Sequence, residues 1–307
     1  MGTVIIDTAL QQGLLYAPAV FGVVISFRLL NFPDLTVDGS FTLGGAVSAR
    51  LLSAGHAPLA ALLWGAAAGA LAGIATALLN RKLGISKILS GILVMLILYS
   101  LNLRVMDRAN ISLLGTTTLF SSFSSNNGLN GFLAIVDGVL LLLLCYGAIT
   151  RAGLFLRATG DNEFMVQGQG VNTDWVCLAG LGLANALVAL SGGLVAQAQG
   201  FADVSMGTGI IITTLAALII GESFADLLQA IGRKLWGRAT GVLPWPVFNE
   251  FFAALLGAFL YFLIVAICLQ LGLAQTDLKL ATGLMVIAGI ALRFKRAASE
   301  TYQRSKL

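Results

Sequence analysis

"VLLLLLCYGAI", Val139–Ile149, runs eleven residues without a charge or any alternation of polar and apolar positions. A membrane barrel strand alternates with period two. This run therefore belongs to a helix, and the composition around it says which kind. The 307 residues are 58% hydrophobic and 10% charged, against about 25% charged in soluble domains, and the mean hydropathy is +0.92. Apolar stretches recur at near the ~20 residues that cross about 30 Å of hydrocarbon. They lie at Leu10–Leu30, Phe41–Gly55, Pro58–Leu79, Ile85–Leu103, Phe132–Ile149, Trp175–Gln197, Ile210–Gly221, Val247–Leu271 and Leu278–Leu292. The fold class expected is an all-α polytopic membrane protein, with about 8–10 transmembrane or re-entrant helices in one domain over 1–307 and no soluble domain. The second and seventh stretches are too short to cross regularly, so broken or re-entrant helices are expected there.

Basic residues stay on the cytoplasmic side during insertion. Arg81, Lys82, Lys87, Arg151, Arg157, Arg233, Lys234, Arg238, Arg293, Lys295, Arg296, Arg304 and Lys306 fall on one side, thirteen of the 18 Lys and Arg. That side is read as cytoplasmic, with the C-terminus on it. The loop at about 105–131 then faces outward, and the segments at about 151–174 and 222–246 face inward. Trp236, Pro244, Trp245 and Pro246 fit an interfacial belt on the inner side. The net charge of +4 follows from this bias and calls for no nucleic-acid partner; lipid is the implied surroundings. "MGTVIIDTAL" lacks a basic n-region, so no cleavable signal is expected.

Reactive clusters are missing from the pattern. His56 has no neighbouring acid or cysteine, and Cys145, Cys177 and Cys268 lie in apolar runs as small buried hydrophobes. No G-x-x-x-x-G-K-[ST] loop occurs, so neither catalysis, a metal nor ATP binding is expected of this chain.

Three polar features remain. "LNFPDLTVDGSFTLGG", Leu30–Gly45, carries a helix break at Pro33 to Gly39 beside Thr36, Asp38, Ser40 and Thr42. Non-helical backbone at membrane depth is tolerated where protein or a water-filled cavity satisfies it, so this stretch reads as pathway lining. The competing reading makes Asp34 and Asp38 plain N-caps of the next helix. Asn185, Ser191 and Gln197 form a second polar set within a span, as pathway or as interhelical glue. Gln199 and Asp203 close that span at the outer face. Asp137, five residues into the fifth span, is read as lying at the outer interface or lining a dimer. "RAGLFLRATGDNEFMVQGQGVNTDW", Arg151–Trp175, is too polar for lipid. Asp161 or Asn162 caps a short helix there, Gly168 and Gly170 end it, and Phe164, Met165 and Val166 stand exposed for a partner. The faces "GAAAGALAGIATA" and "LAGLGLANA" invite close helix contact between two copies.

"LNFPDLTVDGSFTLGGAVSA", "SKILSGILVMLILYSLNLRVM", "LRATGDNEFMVQGQGVNTD" and "LANALVALSGGLVAQAQGFADVSMGTGIIITTLAALIIGE", in this order, resemble the permease subunits of a bacterial ABC importer family. That family is related to the branched-chain amino acid and ribose permeases and includes tryptophan/tyrosine-type uptake systems. The resemblance implies a multi-pass protein of the bacterial plasma membrane, paired as a permease homodimer. It implies a cytoplasmic ATP-binding cassette subunit that binds ATP and Mg, an extracytoplasmic substrate-binding protein, and no cofactor in this chain. It places ATPase coupling on Arg157, Gly160, Asp161, Asn162, Glu163, Gln167 and Gly170, and implies uptake of a small organic solute, an aromatic amino acid favoured. A self-contained secondary transporter is the alternative, because broken helices also serve ion-coupled carriers.

Overall fold

The computed structural model describes residues 2–122, 126–236 and 246–272, together with 280, 283 and 284. Ten helices appear among them: α1 (Gly2–Val23), α2 (Thr36–Ser53), α3 (Pro58–Leu83), α4 (Lys87–Met106), α5 (Asn126–Ile149), α6 (Arg151–Asp161), α7 (Glu163–Gly168), α8 (Thr173–Gln199), α9 (Ile210–Trp236) and α10 (Pro246–Gln270). Two three-residue strands, β1 (Asn110–Ser112) and β2 (Phe201–Asp203), pair antiparallel. Seven of the described helical stretches are long and apolar enough to span a membrane: Ile5–Leu29, Pro58–Leu83, Lys87–Met106, Gly128–Ile149, Thr173–Gln199, Ile210–Leu227 and Glu250–Gln270. The all-α architecture expected from composition is the one observed. The stretch Leu278–Leu292, the basic tail, Arg238, Pro244 and Trp245 lie outside the described residues, apart from Leu280, Gly283 and Leu284.

The chain forms two compact units, Leu14–Ile211 and Met1–Gly13 with Ile212–Leu307. In the second, small residues let backbones approach: a Cβ at Gly221 would enter the Ala253 backbone and one at Gly257 the Ala217 backbone, while Gly13 lies against Phe259. This is how membrane helices associate where no water drives burial.

In the first unit, α2 sits at the centre, packed against α3, α4 and α8. Thirteen of its 18 residues are buried. A helix surrounded by protein has no need of lipid-compatible side chains, which explains why eight of its 18 residues are Gly, Ser or Thr. The second stretch is thus a continuous helix rather than a broken one, and the seventh, far from ending at Gly221, continues as α9 for 27 residues. The connection expected from 222 is helical to Trp236. Charged residues that interrupt an apolar run mark the end of its hydropathy, not of its backbone hydrogen bonds.

The chain breaks before α2. Val24–Leu29 is a π-helical turn in which Leu30 N–H donates to the Ile25 carbonyl at 3.0 Å, and Phe32 N–H reaches Ser26 O at 2.8 Å. Asn31 takes a left-handed φ of 48°, a conformation Asn tolerates better than most residues. Pro33 has no N–H to continue a helix and disfavours the α region at Phe32. Gly39 is no part of the break: it lies inside α2 against Leu98 and Met95.

An extended seam joins α3 and α8. Cβ atoms at Gly69 and Gly73 would collide with the backbones of Asn185 and Leu181. The two small-residue faces expected to pair separate copies are therefore spent on each other inside one chain.

Candidate functional site

At one end of the first unit the chain from Thr150 to Asp174 is turned by three side-chain caps. Thr150 Oγ1 accepts from Gly153 N–H, Asn162 Oδ1 from Met165 N–H at 3.1 Å, and Asn172 Oδ1 from Asp174 N–H at 3.0 Å. Each satisfies a donor that a helix start leaves unpaired. Of the two residues expected to cap α7, Asn162 does so, and Asp161 ends α6. Phe164 and Met165 are 85% and 63% exposed, while Val166, expected beside them at the surface, is buried at 3%. A helix of one and a half turns turns one face inward, and Val166 is on it. Gly170, with φ of +80°, makes the exit; Gly168 is the last residue of α7.

Glu163 is the centre of this end. Its Oε1 accepts from Arg81 Nη1, from Thr173 Oγ1 at 3.0 Å and from Gln167 Nε2 at 3.3 Å; Gln167 Nε2 also reaches Thr173 Oγ1 at 2.9 Å. Burial works to raise the carboxyl, but the hydrogen bonds from Arg81 and Thr173 and the charges of Arg81 and Lys87 outweigh it and hold Glu163 below the usual glutamate value of 4.5. A folded carboxyl that titrates lower than the unfolded one adds stability above about 4.5, and that stability is lost as pH falls through the lower folded value. Glu163→Gln is accordingly expected to melt below wild type at neutral pH, with the gap closing in acid. A gap independent of pH would deny the pair its ionic character.

Arg157 and Gly160 are both half-buried on α6. A Cβ at Gly160 would enter the carbonyl of Leu29, so α6 is seated on the break. Lys87 Nζ donates to Asn31 O at 3.1 Å and lies 5.7 Å from the Phe32 ring centroid. The α3–α4 turn, the break and the Arg151–Asp174 segment thus meet at one end.

The second candidate region runs through the interior. Thr36 Oγ1 and Thr76 Oγ1 share a hydrogen bond of 2.7 Å, Asn185 Nδ2 donates to Asp34 Oδ2 at 2.7 Å, and Thr36 N–H donates to Asp34 Oδ1 at 2.8 Å. Asp34 is thus a local cap and an interhelical link at once. Ser191 Oγ donates to Leu15 O at 2.7 Å, and Gln197 Nε2 to Ser48 Oγ at 3.1 Å and Pro58 O at 3.3 Å. Asp38 accepts from Gly209 N–H at 3.0 Å and Ile211 N–H at 2.9 Å, and Thr42 Oγ1 from Gly207 N–H at 3.0 Å. Asp38 therefore caps the start of α9, not its own helix. Ser40 Oγ is buried with no hydrogen-bond partner among the described residues. Asp137 is buried on α5, its Oδ2 equally without one among those residues.

At the opposite end β1 and β2 pair Asn110 with Asp203, and Leu119 N–H donates to Gln197 Oε1 at 3.1 Å. The loop after α4 and the end of α8 therefore share one surface, with Gln199 exposed and Asp203 half-exposed on it. The Ser205 hydroxyl and N–H hold the Asp203 carboxyl below its usual value. Sequence reasoning missed Arg81 as a partner of Glu163 and Asp34 as a partner of Asn185; the one had been read only as topogenic charge, the other as a cap.

Seven span-length apolar helices among the described residues mark a multi-pass membrane protein, with a polar interior seam and a capped polar helix pair at one end. The chain belongs to the branched-chain amino acid transport system / permease component family, which it matches over residues 5–292. It is 35% identical to the tyrosine transport system permease protein of Clostridioides difficile strain R20291 over 93% of this chain and 90% of that one. The ribose import permease protein of Escherichia coli strain K12 is 24% identical over 68% of this chain and 64% of its own. A nucleoside ABC transporter permease protein of Lactococcus lactis subsp. cremoris strain MG1363 is 34% identical over 37% of this chain and 36% of its own. No solved structure matches. The chain is a permease component of an ABC-type transport system.

Proposed function

We propose that this chain is the membrane-spanning subunit of a bacterial importer that carries a small organic solute, an amino acid of the aromatic class, into the cytoplasm. The tyrosine relative supports the substrate class. Energy comes from a separate ATP-binding cassette subunit, which holds ATP and Mg. That subunit docks on α6 and α7, and the observation that carries this is Phe164 and Met165, exposed on a helix whose own cap and ion pair hold it in place. Large apolar side chains kept exposed on a polar segment mark a surface that another protein covers. In this reading the thirteen-residue basic bias places α7 and the C-terminus in the cytoplasm. The β1–β2 surface with Gln199 and Asp203 then meets a substrate-binding protein outside.

The pathway in this reading runs beside the break and α2, with Thr36, Asp38, Ser40, Thr42, Asn185, Ser191 and Gln197 building its walls. Two copies pair to close it, using faces other than the α3–α8 seam. The test is retention of the ATPase subunit by the purified chain. The Phe164→Ser, Met165→Ser double variant is expected to weaken it about tenfold or more, as loss of interface anchors does, with unchanged yield of folded chain. Full retention would remove α7 from the docking surface.

A further inference from the structure

We infer that the Arg81–Glu163 ion pair is the link through which α7 moves the unwound segment at Leu30–Leu35, so that Arg81 is a positioning residue for coupling. The inference rests on the docking role proposed for α7 and assigns the transmission step within it.

Two kinds of contact tie the α6–α7 segment to the body of the first unit. One is steric and apolar: Gly160 leaves no room between α6 and the Leu29 carbonyl, and Leu156 packs beside Leu30 and Phe32. The other is ionic and directional. Arg81 stands in the last turn of α3, and Glu163 opens α7. The two side chains are only 14% and 28% exposed, so water screens the pair less than a surface bridge. Thr173 and Gln167 fix the same carboxylate oxygen from the far side, and Asp174 lies 4.0 Å from Arg81.

From Arg81 the route inward is short. One and a half turns up α3, Thr76 bonds Thr36, the first residue after the break. Beside it Gly73 lies against Leu181 and Asn185 on α8, and Asn185 holds Asp34 within the break. A shift of α7 that carries Arg81 with it therefore pulls on both ends of the Asp34–Thr36 turn through packed backbone and hydrogen bonds, a contiguous rigid path. Without the ion pair the segment keeps steric and apolar contacts, Gly160 on the Leu29 carbonyl and Leu156 beside Leu30 and Phe32, which fill space but carry no charge-assisted bond to α3. The contact is made by one guanidinium nitrogen, Arg81 Nη1, which meets Glu163 Oε1 and lies 4.0 Å from Asp174 Oδ1, so its position on the guanidinium as well as its charge sets the pair.

The experiment uses the chain with its ATPase subunit in nanodiscs and needs no knowledge of the substrate. Asn31→Cys, an exposed position in the break, is labelled with a charged maleimide with and without ATP plus vanadate, and the parent chain is measured alongside for Cys145, Cys177 and Cys268. ATPase retention is read on the same samples. In the Asn31→Cys background, ATP is expected to change the labelling rate. Arg81→Glu and Glu163→Arg are each expected to reduce that change about tenfold, the size of an ordinary coupling energy, with the ATPase still bound. The double reversal restores it, and Arg81→Lys gives an intermediate value. A single reversal that keeps the ATPase and keeps the full change overturns the link, and so does a double reversal that fails to restore it. Failure of the unreversed chain to retain an ATPase would instead refute the docking role.

Discussion

The Gly44→Leu variant is expected to leave almost no folded chain in the membrane. Gly44 lies at the middle of α2, where a Cβ would occupy the position of the Ala189 carbonyl on α8, and where Gly65 of α3 already approaches Gly44 O at 3.0 Å from its own Cβ direction. Neither neighbour is the flexible end of a side chain. To admit the new side chain α2 must part from α3 and α8, and with it goes the packing that holds membrane helices together in the absence of a hydrophobic drive. Overpacking that displaces backbone belongs to the severe class of substitutions, more than about 4 kcal/mol. The measurement is detergent-extracted monodisperse protein at equal expression. Gly138→Ala is a contrasting control: it lies in α5, and nothing lies within 4 Å of where its Cβ would stand. Wild-type yield of Gly44→Leu would contradict the packing described for α2.

The Asp38→Asn variant is expected to separate two roles that look alike in sequence. As the cap of its own helix Asp38 would tolerate asparagine, which caps about as well. In the structure both carboxylate oxygens receive backbone N–H groups from the start of α9, from Gly209 and Ile211. Asparagine offers one acceptor and turns an NH2 group toward the second donor. The expected cost is about 1–3 kcal/mol, the range for leaving a partly buried donor unsatisfied, read as a lower melting temperature. Ser40→Ala removes an oxygen without a partner among the described residues, so its fold is expected to persist. Equal stability of Asp38→Asn and wild type would detach Asp38 from the α9 cap.

These two positions also show what was legible in the chain. The class of fold followed from the leucine run and the spacing of apolar stretches, because crossing about 30 Å of lipid imposes a length and a composition that little else requires. The capped helix at Asn162 was legible for a similar reason: a cap, an acid and an exit glycine are local signals. Hydropathy misread α2 and α9, since it reports contact with lipid and not helical backbone. Thr36–Ser53 is polar because protein surrounds it. The partners of Asp34, Asp38 and Glu163 lie 151, 173 and 82 residues away, and no local pattern marks such pairs. The small-residue faces on α3 and α8 were correctly recognised as contact surfaces, but a face alone does not say whether its partner belongs to the same chain.

The central claim is that this chain forms a pathway driven by another subunit's ATP hydrolysis. Labelled-tyrosine uptake into proteoliposomes tests it most directly, with the chain reconstituted alone or with its ATPase and substrate-binding protein. Uptake is expected only with all three present and ATP on the side that carries α7, and an imposed proton or sodium gradient is expected to have no effect. Uptake by the chain alone, driven by such a gradient, would contradict the account and identify a self-contained carrier.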